Sequence, residues 1–156
     1  MFFGNSLIGF FDVATNKTQG GIGVLVKLST IHCFKAYMAI GQGTTTRNEL
    51  IAFWGLLYLC KMLNLRVLNV AGDCKVVVEW FNEKATLNGL LLEVWKENIK
   101  ETSYFFSSLH VFHIHRSFNS QANSLSKHGL SSINGVLFVE EFEEEFLISS
   151  SYFSLF

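Results

Sequence analysis

The order of apolar segments along the chain constrains its fold more than any other feature of the sequence. Three β-rich runs come first, at residues 7–14, 22–28 and 33–40, and they predict a three-stranded antiparallel meander. Beyond them, helical patterns alternate with two further strands, so the predicted element order is βββαβααβα. Strands joined through helices run parallel, whereas a meander is antiparallel. The sequence therefore predicts an α/β domain with a mixed sheet and helices on both faces.

The elements after the meander are separated by glycine, asparagine and serine, because the chain contains no proline. A long helix that is apolar over most of its circumference follows Thr44, Thr45 and Thr46. A later helix is indicated by apolar residues at helical spacing, which are Leu90, Leu91, Val94, Trp95 and Ile99. The predicted elements are, in order, a helix over about 47–64, a strand at 66–71, helices at 74–84 and 87–106, a strand at 109–115 and a helix at 119–128.

Length and composition bound the class of protein. A chain of 156 residues has room for one domain with one buried core. Hydrophobic residues make up 49% and charged residues 16%, which excludes a disordered chain. The longest uncharged stretch in a helical pattern, residues 50–60, is far shorter than the ~20 apolar residues that a bilayer span needs. We therefore expect no membrane partner.

Cysteine usage and the N-terminal sequence predict a cellular location. Cys33, Cys60 and Cys74 form no Cys-x-x-Cys pair, and one would be left over if two were bridged. This usage is typical of free thiols in a reducing compartment, so we expect a nuclear or cytoplasmic protein. The N-terminal sequence MFFGNSLIGFFD lacks the positive charge and the cleavage site of a signal peptide. We expect the mature chain to start near Met1.

A change of composition divides the chain near residue 131. We predict a domain over residues 1–131 and an acidic and apolar C-terminal tail over 132–156. The tail holds five of the thirteen acidic residues, which are Glu140, Glu141, Glu143, Glu144 and Glu145. Composition leaves open whether this tail packs on the domain as a strand or a helix or is partly disordered, and a solvated acidic tail is the simplest interpretation.

Three acidic residues stand out by their positions. Asp12 and Asp73 are the only aspartates, and Asp12 lies within the apolar run LIGFFDVA. An ionised carboxylate inside a buried strand is strongly destabilising unless a partner or a metal ion compensates it, so Asp12 predicts a functional site. Glu49 also fits a capping box with Thr46, and Asp73 also fits the N-cap of the helix that follows it. Taken singly, these two residues have structural interpretations.

The topology brings the three acids together. If the first and fourth strands are parallel neighbours, Asp12 and Asp73 lie at the same edge of the sheet, and the first helix places Glu49 over that edge. Three carboxylates at one site repel each other unless cations bind between them. Oxygen ligands of this kind suit Mg²⁺ or Mn²⁺.

The sequence resembles the ribonuclease H-like superfamily, most closely the type 1 ribonuclease H domains of the plant reverse-transcriptase-like kind. The resemblance covers about residues 7–131 and rests on five short motifs in the right order. These motifs are FDVA at 11–14, similar to F-D-G-A; GGIG at 20–23, similar to the second strand of the family; NELIA at 48–52, similar to A-E-L-x-A; VAGDC at 70–74, similar to V-x-G-D-S; and HIHRSFNSQAN at 113–123, similar to H-I-x-R-x-x-N-x-x-A-D.

The resemblance implies a five-stranded mixed sheet of order 3-2-1-4-5 with flanking helices. It also implies a nuclease that hydrolyses the RNA strand of an RNA–DNA hybrid with two Mg²⁺ or Mn²⁺ ions. Asp12, Glu49 and Asp73 match three of the four acidic ligands of the family, with Asp12 in the bridging position. Asn123 stands at the fourth position, where it keeps a carbonyl oxygen but carries no charge.

Four further side chains are predicted to contact the substrate: Arg116, Asn119, Asn48 and Lys75. The spacing of Arg116 and Asn119 to Asn123 matches the family motif, and arginine is suited to phosphate contacts. Asn119 would serve equally well as the N-cap of the last helix.

Two alternatives stay open at the level of sequence. Asn123, Val13 in place of a glycine, and the lack of a basic helical segment between 82 and 95 are compatible with a catalytically silent nucleic-acid-binding module derived from a retroelement. The second alternative is a related two-metal nuclease, such as an exonuclease. The sequence defines neither the biological substrate nor the oligomeric state.

Overall fold

The computed structural model describes residues 7–156, and its elements follow the predicted order. Residues 1–6, which belong to the N-terminal segment interpreted above, lie outside the described residues. None of the helices in the described part combines the length and apolar character that crossing a membrane requires. The elements are β1 (Ile8–Thr15), β2 (Gly20–Lys27), β3 (His32–Gly41), α1 (Thr45–Met62), β4 (Val67–Gly72), α2 (Lys75–Phe81), α3 (Glu93–Ser103), β5 (Ser108–His113), α4 (Ser120–Gly129), β6 (Val136–Glu143) and β7 (Phe146–Ser154).

All the strands belong to one mixed sheet of order β5-β4-β1-β2-β3-β6-β7. Strand β1 pairs antiparallel with β2 and parallel with β4, and β4 pairs parallel with β5. The predicted α/β fold and the order 3-2-1-4-5 are confirmed for the first five strands. The sheet has seven strands instead of the predicted five, because the C-terminal segment adds β6 and β7 beside β3.

The C-terminal segment, for which composition left three states open, is a β-hairpin. Leu137 and Val139 of β6 are buried, and Phe153 of β7 packs against the core. Leu137 and Val139 lie two residues apart on β6, so both point to the same, covered face of the sheet. The interpretation as a solvated acidic tail is therefore wrong: the glutamates lie on strands and in the turn between them.

Helices cover the two faces of the sheet differently. Helix α1 is largely buried and packs on the face that carries Phe11 and Ile22. Helix α4 crosses the opposite face at Gly23, where an added Cβ would lie 2.3 Å from the Ala122 carbonyl oxygen. Since directly paired residues share a face, Asp12 lies beside Gly23 on the α4 face. A glycine at 23 is thus what allows α4 to approach the strand that carries Asp12.

The predicted helix over 87–106 is shorter than expected. Leu90–Leu92 form a 3₁₀ turn and α3 begins only at Glu93. Ile99 is buried and Trp95 packs on the core, but Leu90 and Leu91 are 88% and 85% exposed. The leucines follow helical spacing without facing the core, so the periodicity overestimated the length of the helix.

The turn between β6 and β7 has an unusual composition. Glu143 pairs with Phe146, which leaves Glu144 and Glu145 as a two-residue loop. Both loop residues have positive φ, 51° and 69°. Such hairpin turns favour Asn-Gly, because residues with a Cβ are destabilised in the left-handed region.

We predict that the double substitution Glu144→Asn with Glu145→Gly raises the free energy of unfolding by about 1 kcal/mol, because it relieves the left-handed backbone. Thermal denaturation followed by circular dichroism measures the change. The matched control is Glu144→Gln with Glu145→Gln, which removes the charges and keeps the side chains. An equal gain in the control would show that charge repulsion, and not backbone conformation, limits the stability of the turn.

Candidate metal centre

Three carboxylates from separate elements converge at one end of the central strands. Phe11 pairs with Gly72, so the residues that follow them, Asp12 and Asp73, leave the parallel β1–β4 pair side by side. Glu49 comes from the second turn of α1. One oxygen atom of each carboxylate lies within 4.8 Å of the others. The predicted convergence of these three side chains is therefore confirmed.

The structural alternatives for Glu49 and Asp73 are wrong. The N-cap of α1 is Thr44, whose hydroxyl accepts a hydrogen bond from the Arg47 N–H at 3.1 Å, so Glu49 lies too far along the helix to complete a capping box. The N-cap position of α2 belongs to Cys74. The Asp73 carboxylate instead accepts a hydrogen bond from Asn119 Nδ2 at 3.3 Å.

Burial makes this cluster electrostatically unfavourable. It raises the pKa of Asp12 to about 6, an effect that the charge of Asp73 reinforces and the hydrogen bond from the Val13 N–H opposes. Burial, together with the charges of Asp12 and Asp73, raises the pKa of Glu49 to about 8. Glu49 Oε1 is buried and has no hydrogen-bond partner. The protein alone leaves this acceptor unsatisfied, which is the condition that a bound cation would relieve.

Asn123, predicted as the fourth ligand, lies within hydrogen-bond distance of Asp12. Its side chain donates a hydrogen bond to the Asp12 carboxylate and so lowers the pKa of Asp12. Its backbone N–H donates to the Asn119 carbonyl oxygen at 3.0 Å, in the first turn of α4. Asn123 is half-buried and thus stands at the edge of the cluster of acids.

Asn119 has a different role from the two that the sequence allowed. It is 1% exposed and makes no side-chain cap to α4. Its Nδ2 donates to the Phe11 carbonyl oxygen at 2.9 Å as well as to Asp73. It therefore ties the middle of β1 to Asp73, and its burial leaves it unavailable to a substrate.

The other predicted substrate residues differ in accessibility. Asn48 is fully buried and its Oδ1 accepts a hydrogen bond from Arg47 Nη1 at 2.9 Å, so the prediction of a surface contact fails for Asn48 as it does for Asn119. Lys75 and Arg116 are exposed. The positive charge of Arg116 acts on Asp12 and lowers its pKa, which places this guanidinium near the acids.

Two residues near the acids were not assigned to the site from the sequence. The Cys74 thiol hydrogen-bonds to Glu49 and lowers its pKa. His113, the last residue of β5, is exposed, and its Nε2 lies 3.2 Å from the Asp73 carbonyl oxygen. The pairing of β4 with β5 is the signal that could have assigned His113 to the site. This register sets His113 opposite Gly72, the residue before Asp73.

Comparison with known proteins gives a family and a fold. Residues 10–129 match the family described as "Reverse transcriptase-like". No curated protein sequence matches the chain. RNase H1 from the halophilic archaeon Halobacterium salinarum has a similar structure, with a TM-score of 0.72 and 17% identity over 80% of this chain and 97% of that one.

Two further solved structures have the same fold. The N-terminal RNase H domain of Rv2228c from Mycobacterium tuberculosis has a TM-score of 0.72 and 17% identity, over 81% of this chain and 94% of that one. LC11-RNase H1 in complex with an RNA/DNA hybrid has a TM-score of 0.71 and 18% identity, over 80% and 96%. The TM-scores establish a common fold, and at identities this low the similarity shows the fold alone.

The raised pKa values of Asp12 and Glu49 predict a pH-dependent stability. Their ordinary values are 3.8 and 4.5, against about 6 and about 8 in the folded protein. As the pH rises from 4 to 8, the unfolded chain releases these protons first, so the metal-free protein should lose stability across this window. A tenfold difference in proton affinity corresponds to about 1.4 kcal/mol, so the loss should be on the order of 5 kcal/mol.

Glu49→Gln isolates this effect because it removes the charge and nearly keeps the volume. The variant should match the parent protein at pH 4 and exceed it in melting temperature at pH 8, both measured in EDTA. Parallel melting curves of the two proteins over the whole range would show that Glu49 is not buried in its charged form.

Proposed function

Because this chain belongs to the reverse transcriptase-like family and has a ribonuclease H-like fold, we propose that it is a metal-dependent endonuclease that hydrolyses the RNA strand of RNA–DNA hybrids. The observation that carries the proposal is the convergence of Asp12, Glu49 and Asp73. These side chains come from β1, α1 and the end of β4, and the fold buries Asp12 and Glu49 beside the half-buried Asp73 at an energetic penalty. A cluster of acids that destabilises the metal-free protein is what a cation-dependent site requires.

The residues present fit Mg²⁺ or Mn²⁺, and we propose two such ions. The donor set consists of carboxylate oxygens, which these hard cations prefer, and Glu49 Oε1 is an acceptor without a partner. When bound, the ions supply Lewis-acid chemistry: they activate water and stabilise the charge on the phosphate and the leaving oxygen. Asp12, Glu49, Asp73 and the Asn123 carbonyl oxygen would hold them.

The chain's own side chains position these ligands and the substrate. Asn119 fixes the orientation of Asp73 through its Nδ2. The Val13 N–H and the Asn123 amide fix Asp12. Arg116 is an exposed cation whose charge acts on Asp12, and Lys75 is exposed two residues after Asp73; we assign both to the phosphates of the nucleic acid.

Two of the similar structures support an RNA–DNA hybrid as the substrate. One of them, LC11-RNase H1, is in complex with an RNA/DNA hybrid. The structure of the foamy viral protease-reverse transcriptase, with a TM-score of 0.60 and 14% identity, is also in complex with an RNA/DNA hybrid. This chain covers 20% of the length of that viral chain.

A catalytically silent nucleic-acid-binding module is the second candidate. The observation that favours it is Asn123, whose amide satisfies Asp12 by a hydrogen bond where the family has a fourth acid. Incubation of the purified chain with end-labelled hybrid, single strands and duplexes, each with Mg²⁺ or Mn²⁺, separates the two. Cleavage of RNA in the hybrid alone supports the endonuclease, and binding without cleavage supports the silent module.

We predict that Asp12→Asn abolishes hybrid cleavage, because it removes the charge of one of the three acids that would hold the ions. The same change should raise the melting temperature of the metal-free protein, since repulsion among the acids is relieved. Gel assays of cleavage and melting curves in EDTA test both effects. Lys61→Gln, an exposed substitution in the last turn of α1 and so at the opposite end of that helix from Glu49, is the control and should change neither. Full activity in Asp12→Asn would remove this residue from the mechanism.

For Asn123→Asp we predict activity at lower Mg²⁺ concentration, because the fourth position gains a negative charge. The metal-free variant should be less stable than the parent protein, since a fourth carboxylate joins three that already repel each other. Cleavage across a Mg²⁺ titration and melting curves with and without metal provide the two measurements. If the substitution alters neither quantity, Asn123 lies outside the metal site.

A further inference from the structure

Strand β7 leaves one edge of the sheet open. It pairs with β6 on one side and ends the strand order of the described residues. An exposed edge presents unpaired N–H and C=O groups that can pair with another strand. Proteins usually block such edges with charged residues or proline. Residues 146–154 carry no charge, and the chain has no proline.

The side chains of β7 make this edge unusually apolar. Phe146, Leu147, Ile148 and Tyr152 are 73%, 53%, 50% and 71% exposed. An aromatic row leads to the edge across the sheet: Tyr37 stacks on Phe138 with ring centroids 5.8 Å apart, and Phe138 lies 6.3 Å from Tyr152. A long, uncharged and apolar edge strand is a site for the addition of a further strand.

The charges near β7 select the kind of strand that can be added. The acids of the hairpin lie on β6 and in the turn at Glu144 and Glu145, at one end of β7. A second copy in parallel orientation would bring two such turns together. An antiparallel copy separates them by the length of β7, nine residues or about 30 Å, which exceeds the Debye length of about 8 Å.

The sequence of β7 is self-complementary in the antiparallel orientation. Full overlap of two strands places the two-fold axis at Ser150, the middle residue of Phe146–Ser154. Ile148 then faces Tyr152 of the second copy, and Leu147 faces Phe153. Serine meets serine at the centre. Aromatic residues opposite aliphatic ones are favourable cross-strand pairs, and no like charges are opposed.

We infer that two copies of this chain dimerise by antiparallel pairing of their β7 strands about Ser150, which joins the two seven-stranded sheets into one. The same patch serves both copies, so the contact closes at two chains. Four strand spacings, roughly 20 Å, separate β7 from β1, so the acids stay free in the dimer. The inference is independent of the proposed function.

Sedimentation equilibrium of the full chain at micromolar concentrations tests the dimer. The parent protein should sediment at twice its monomer mass of 17.7 kDa. Ser150→Lys should be monomeric, because each lysine would face its twin across the two-fold axis. The fold should be kept, since Ser150 pairs with Glu140 of β6 in the same chain and the lysine gains an acidic neighbour there. Ser150→Glu should also be monomeric.

Mixing the two variants makes the test specific for the register. An equimolar mixture of Ser150→Lys and Ser150→Glu should regain the dimer, because lysine then faces glutamate; we expect at least a tenfold tighter dimer than for either variant alone. Leu91→Lys, which changes an exposed leucine distant in sequence from β7, is the matched control and should stay dimeric.

Three outcomes would overturn the inference. The first is a parent protein that is monomeric or forms a series of larger species. The second is a Ser150→Lys chain that remains dimeric while its circular dichroism and melting curve are native. The third is a mixture of the two variants that does not dimerise. Since hybrid cleavage is measured separately, loss of the dimer model leaves the proposed nuclease untouched, and the converse also holds.

Discussion

The ring of Phe11 is the contact on which the geometry of the acids depends. It stacks on Phe53 of α1 with ring centroids 5.2 Å apart, and it fills the space above Gly72, where an added Cβ would lie 2.4 Å from the ring. Each element that Phe11 touches carries an acid close by: Asp12 and Asp73 are the next residues on β1 and after β4, and Glu49 lies four residues before Phe53. One apolar contact thus fixes three charged groups, because residues four apart lie on the same side of a helix.

In this arrangement the acids that form the candidate site also lower the stability of the metal-free fold. Buried apolar groups hold Asp12 and Glu49 where water solvates them poorly, so the pKa of each is raised and the folded, metal-free protein disfavours their ionised forms. The core must therefore be strong enough to hold a cluster that would otherwise separate. The fully buried side chains of α1, among them Leu50, Ile51, Leu56 and Leu57, supply that packing.

The sequence predicts the acids well because topology alone brings them together. Once β1 and β4 are parallel neighbours, the positions of Asp12 and Asp73 follow from the ends of apolar runs that are easily recognised. Asn119 is different: whether an asparagine in a polar loop faces solvent or bonds to a carbonyl oxygen depends on where α4 sits, and that is set by glycines on another strand. Spacing along the chain contains no such information.

The state of the C-terminal segment stayed open at the level of sequence for a related reason. Its glutamates dominate the composition, whereas the strand is held to the core by Leu137 and Val139, two buried residues at alternate positions of β6. Conversely, Leu90 and Leu91 have the spacing of a buried helix face and are exposed. Periodicity indicates that one face of a helix or strand is apolar. Whether another element covers that face depends on the tertiary structure, which periodicity does not contain.

Asn123 connects the electrostatics of the cluster to its proposed chemistry. An aspartate at this position could only accept hydrogen bonds when ionised, whereas the asparagine amide donates one to Asp12 and lowers its pKa. The neutral residue therefore stabilises the ionised form of Asp12 in the metal-free protein without adding a fourth charge. On the proposed function, Asn123 gives the site one negative charge fewer than an aspartate would, and so weakens its attraction for cations. If the proposed function holds, Asn123 thus favours the stability of the metal-free fold at the expense of tight metal binding.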